Sequence, residues 1–197
     1  MPTVESLLKA IRYYEAQGGS ASIYVNEDGM QVVDPELAEY VILSRDALTA
    51  NRSPRARKTY YELNNIGYCA RPKDTYYKRK WYQRAKTHPY TENKHPEGYI
   101  RQGQFKKASN MNYCLDFSIR VEDELLRLID VTCVATGKSN DEITVEEENV
   151  LYQKALETII EQDEGRTWAS GNVRIGDIIL IIDSDTRVVS KLFLEMQ

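Results

Sequence analysis

The sequence predicts an α/β fold: a mainly parallel sheet flanked by helices, with a basic, tyrosine-rich insertion. Three observations predict it. A helical periodicity near the N-terminus gives way to a short β-branched segment, the element rhythm of α/β domains. That segment runs into an acid-and-glycine turn at Glu27, Asp28 and Gly29. Near the C-terminus, Ile178 to Ile182 is β-branched at all but Leu180 and shows no polar alternation, so it reads as a strand covered on both faces.

The elements follow in order. Val4, Leu7, Leu8 and Ile11 fall at helical spacing, Thr3 is placed as the N-cap, and Gly18-Gly19 ends the helix. A strand is expected over Ser22 to Val25, and a second helix from Pro35 to about Ala50. Turn residues and charge then crowd the chain, and residues 52–105 are read as an insertion or excursion within a single domain spanning 1–197. The stretch from Ala108 to Val131 is expected to be helical in at least two pieces. The clearest helix follows: Thr144 and Glu147 make a capping box, with Glu147, Leu151, Ala155 and Ile159 along one face.

Composition bounds the function. With 42% hydrophobic residues in 197, the chain can bury the core of one domain. No apolar run approaches the roughly 20 residues of a membrane-spanning helix, and the N-terminus lacks the pattern of a signal peptide. Cys69, Cys114 and Cys133 form no C-x-x-C pair and are read as reduced core thiols. His88 and His95, each before a proline, are read as loop histidines.

Charge is distributed unevenly. Between Arg52 and Lys107 there are 15 Lys and Arg against 4 Asp and Glu, a balance of +11, so the remainder of this chain of net charge -4 stands at -15. The basic segment also holds eight of the fourteen tyrosines. Basic residues interleaved with aromatics can bind nucleic acid, and they can equally draw in a nucleotide diphosphate. Charge alone leaves that choice open.

Asp183 and Asp185, at the end of the apolar run, stand where open α/β sheets bind ligands. Two carboxylates one residue apart can turn oxygens toward a hard divalent cation that bridges to a phosphate. The bland alternative is a solvated loop.

Three motifs stand in a fixed order: "VNEDG" at 25–29, "KKASNMN" at 106–112 and "IDSDT" at 182–186. Together they resemble the donor-binding half of family 2 glycosyltransferases, in the cellulose-synthase-like branch. The resemblance implies a partial GT-A fold, the nucleotide-diphospho-sugar transferase architecture. It implies donor binding by Glu27, Asp28, Gly29, Lys107, Asn110, Asn112 and Asp183, with Mg or Mn held by Asp183 and Asp185. Asp28 would accept a hydrogen bond from a base N–H, and Lys107 would add a point charge near the diphosphate. The donor would be a nucleotide sugar, UDP-linked by expectation; the acceptor, glycan or lipid, is not specified.

The sequence departs from the family at three points. Glu27 stands where the family usually has aspartate. The family's first, central strand has no counterpart before the opening helix. No later acidic motif supplies an acceptor-side base, and there is no Q-x-x-R-W, so no catalytic residue is assigned. The chain is therefore expected to be a fragment, inactive alone and by itself soluble and cytoplasmic, of a membrane-attached parent whose catalytic domain faces the cytosol. The alternatives are a nucleic-acid-binding module built on the basic aromatic segment, and a nucleotide-binding remnant without transfer activity. The D-x-D also suggests a haloacid-dehalogenase phosphatase, but Arg187 stands where that motif wants threonine or valine.

Overall fold

The computed structural model describes residues 2–28, 30–32, 54–72, 105–183 and 186–189. The elements are α1 (Pro2–Glu15), β1 (Tyr24–Glu27), a 3-10 turn (Met30–Val32), α2 (Pro54–Leu63) and β2 (Gly67–Ala70). They continue with α3 (Lys106–Thr136), a second 3-10 turn (Asn140–Glu142), α4 (Val145–Gln162) and β3 (Trp168–Ser170). The class is α/β. The sheet is mixed rather than mainly parallel: β1 and β2 are parallel, with Tyr24 opposite Gly67 and Glu27 opposite Ala70, and β3 is antiparallel to β2.

Strand alternation divides the core. Cys69 turns to one face and meets Cys114, Phe117, Val121 and Leu125 of α3 and Tyr152, Leu156 and Ile159 of α4. Tyr68 and Ala70 turn to the other, against Val4 and Ile11 of α1, Tyr61 of α2, Ile23, Met30 and Ile66. Every residue of β2 is buried, as befits the centre of the sheet. Residues 54–72, which the sequence reading places in the basic excursion, thus supply a helix and the central strand.

Helix α3 is one piece of 31 residues, not two. No proline or glycine interrupts it, and its buried positions Asn110, Cys114, Phe117, Val121, Leu125 and Leu128 form a continuous stripe at spacings of three and four. Gly137, at φ 72°, ends it in the left-handed conformation. Helix α4 begins as expected: Thr144 Oγ1 accepts from the Glu147 N–H at 3.2 Å, and Glu147 Oε2 accepts from the Thr144 N–H at 3.0 Å. Helix α1 begins at Pro2, so Thr3 lies within it rather than capping it. A proline fits the first helical turn, where an N–H would have no partner.

Two strand expectations are corrected. The first strand lies at Tyr24–Glu27, two residues beyond the expected Ser22 to Val25, because pairing with β2 fixes its register. Ile178 to Ile182 forms no strand: Ile178 is 71% exposed, Ile179 and Ile181 are also exposed, and no described strand pairs with the run. β-branched composition favours a strand only where a neighbour supplies the ladder and covers the side chains. Cys69 and Cys114 are buried thiols, in line with the core reading, and Cys133 is partly covered. The expected helix from Pro35 to Ala50, His88, His95 and most of the basic segment lie outside the described residues. Among the described residues no helix is long and apolar enough to cross a membrane.

Candidate functional site

The candidate site forms where the two parallel strands end. Alternation sends the two acids of the E-D-G turn in opposite directions. Glu27 turns toward α2, is buried, and accepts hydrogen bonds from Tyr61 Oη at 2.5 Å and Arg57 Nη1 at 2.8 Å. Burial and the adjacent Glu27 charge push the Tyr61 phenol well above its ordinary value, so Tyr61 remains a donor. Asp28 turns the other way, toward α3.

The register that sets Glu27 opposite Ala70 brings Asp28 beside Arg71, the first residue after β2. Arg71 donates to Asp28 Oδ1 through Nε at 2.9 Å and also through Nη2, while its Nη1 lies 3.4 Å from Ser109 Oγ. Its side chain is only 5% exposed. Helix α3 starts at the same corner: Lys106 Nζ lies 2.9 Å from Asp28 Oδ2, and Asn110 Nδ2 donates to the Asn26 carbonyl at 3.0 Å. One residue on, Lys107 pairs with Asp183 at the surface.

Asn26 and Asp28 therefore meet the first turns of α3 at one edge of the sheet, and Asp183 is joined to that helix start through Lys107 at the surface. Asn112 does not join them. It sits two residues beyond Asn110 in a helix, which turns it to a different face, and it is exposed. Gly29 and Asp185 lie outside the described residues. Sequence reasoning missed Arg71 and Lys106. No strand was expected at Gly67–Ala70, so nothing in the sequence singled out Arg71, which follows it in "YCARP".

The first turn of α3 contains no acidic residue, and its N-cap, Phe105, offers no side-chain hydrogen bond. Among the described residues no group of three His, Cys, Asp or Glu could hold a metal. Asp183 contributes one carboxylate here, and it is engaged by Lys107.

A second polar network lies beside α3 further along. Arg120 holds Asp163 with two hydrogen bonds, at 2.8 and 3.0 Å, and Thr167 also donates to it. Burial raises the Asp163 carboxyl, but these hydrogen bonds outweigh it and leave it below the ordinary aspartate value. The network ties the turn after α4 to α3. A depression of about 310 Å³ lined by Thr132, Glu146, Glu147, Val150 and Leu151 lies between α3 and α4 and touches none of the site residues. No family model, curated protein or solved structure matches the chain.

Proposed function

We propose that this chain carries the donor-binding part of a metal-assisted glycosyltransferase, built on a partial GT-A fold and taking a nucleotide sugar, UDP-linked, as donor. One observation supports this reading above the others: the first two motifs, separated by nearly eighty residues in the sequence, meet at the carboxyl ends of a parallel strand pair, where α/β sheets bind ligands, and Asp183 of the third pairs with Lys107 of the second.

A nucleotide sugar is a diphosphate ester, and transfer requires the leaving diphosphate to be stabilised as its charge develops. Lys107 supplies a point charge for that purpose. Asp183 and Asp185 would hold Mg or Mn, which clamps phosphate oxygens when bound. The described carboxylate set is incomplete for such an ion by itself, so the diphosphate oxygens would complete it.

Titration calorimetry with UDP tests the reading. Binding is expected with Mg or Mn present and is expected to be lost with chelator or on Asp183→Ala, because carboxylates and a diphosphate repel until a cation lies between them. Equal affinity with and without chelator would remove the metal role. Single-stranded oligonucleotides are expected to bind weakly and to release at moderate salt. Tight, salt-tolerant binding unaffected by Asp183→Ala would favour a nucleic-acid module instead.

A further inference from the structure

We infer that Asp28 is a counter-ion that holds Arg71 and Lys106 as a phosphate-binding pair, so that this corner recognises the diphosphate of its ligand and not the base. The inference rests on the donor-site reading and assigns Asp28 a different role within it.

An ionised carboxylate has about four lone-pair directions. Arg71 occupies Oδ1 with two donors and Lys106 stands on Oδ2. A base N–H would find one direction left, on Oδ2 beside the Lys106 ammonium, and could take a second only by displacing a cation. For Arg71 that exchange is unfavourable, since a guanidinium almost fully removed from solvent needs its counter-charge.

The cations differ in a way that suits phosphate. Arg71 is fixed, with one edge of its planar guanidinium on Asp28 and the other toward Ser109, so its position is set before any ligand arrives. Lys106 is 59% exposed on a flexible stem, and its ammonium can move from Asp28 onto an incoming oxygen without leaving the corner.

The local charge agrees. Among the described residues Arg71, Lys106 and Lys107 stand against Asp28 and Asp183, an excess of one positive charge. The first turn of α3 adds backbone N–H groups and no acid to oppose them. A diphosphate is drawn to such a corner, whereas a neutral nucleobase gains little from it.

The test compares inorganic pyrophosphate, UDP and GDP by calorimetry on the 197-residue chain, with Mg present throughout. Pyrophosphate is expected to compete with UDP. Lys106→Gln, an exposed change that leaves the Asp28–Arg71 pair in place, is expected to weaken pyrophosphate and UDP by the same factor, about tenfold. Arg71→Lys keeps the charge but loses the fork and is expected to weaken both, with circular dichroism confirming the fold. Asp28→Asn is expected to weaken all three ligands alike and leave the UDP to GDP affinity ratio unchanged.

A changed UDP to GDP ratio in Asp28→Asn, with pyrophosphate unaffected, would overturn the inference and make Asp28 a base reader. UDP binding that ignores Lys106→Gln would overturn it while leaving the donor-site reading intact. Pyrophosphate binding sensitive to Lys106→Gln, with no gain for UDP, would support the inference and end the donor-site reading. Failure of the wild-type chain to bind either ligand would end both.

Discussion

The first turn of α4 carries Thr144 as its cap, a reciprocal bond from Glu147, and three consecutive glutamates, Glu146 to Glu148. The first turn of α3 carries two lysines, no acid, and a phenylalanine at the capping position. Both helices pack on the same face of the sheet, and α3 is the longer, about 46 Å at the usual rise. Lysines at a helix N-terminus oppose the backbone dipole, at a cost of about 0.3–1 kcal/mol each near the surface. Thus α4 satisfies its own N-terminus with local residues, while α3 carries an unfavourable one at the corner where the strands end. Local rules tend to be broken where a site needs the offending residue.

The largest effect expected from dividing these two regions comes from Asp28→Ala. It takes the Asp28 carboxylate away from a largely buried guanidinium, and removing one partner of such a pair costs about 3 kcal/mol. For a chain of this length that is a fall in Tm of about 10 °C, read by thermal melting. A loss below about 1 kcal/mol would mean that the corner behaves as a surface ion pair, and the preorganisation of Arg71 would be lost from the argument.

Two substitutions of intermediate effect set the helix starts directly against each other. Phe105→Asp supplies the missing cap to α3 and removes a side chain that is 71% exposed, so little packing is lost. It is expected to raise stability by about 1 kcal/mol while weakening pyrophosphate binding by about tenfold, because the new charge competes with the anion for Lys106, Lys107 and the backbone N–H groups. Thr144→Ala is expected to lower stability by about 1 kcal/mol and leave pyrophosphate binding unchanged. Denaturant melts paired with calorimetry check both. Stability and binding moving together in Phe105→Asp would remove the contrast.

The same contrast explains what the sequence allowed to be read. The start of α4 was legible because a capping box involves residues three apart, and its chemistry lies within one turn. Helix α1 was legible from the spacing of Val4, Leu7, Leu8 and Ile11, although Thr3, expected as its cap, lies within it. The run Ile178 to Ile182 was not, because strand formation depends on a neighbour that composition does not reveal, and among the described residues none is present. The candidate site was half legible. Asp28, Lys107, Asn110 and Asp183 could be chosen from motifs. Arg71 could not, since its place beside Asp28 follows only from the β1–β2 register, across 43 residues. Glu27 and Asp28 look alike in sequence, and only strand alternation separates them, one to the α2 face and one to the α3 face.

The smallest expected effect concerns pH at the start of α4. Hydrogen bonds from Lys138 and from the Thr144 backbone hold the Glu147 carboxyl below its ordinary value of 4.5. A carboxyl depressed in the folded state contributes stability that is fully present above its unfolded value. That stability falls away as pH drops through 4.5 toward the lower folded value. Glu147→Gln should therefore flatten the fall in melting temperature just below pH 4.5. The chain will still lose stability in acid through Asp163, whose carboxyl is also held down, by Arg120 and Thr167. Because Glu147 is exposed, the difference between variant and parent should be small and should shrink in high salt. An identical slope in both proteins would mean that neither the Lys138 ammonium nor the Thr144 N–H favours the Glu147 carboxylate in solution.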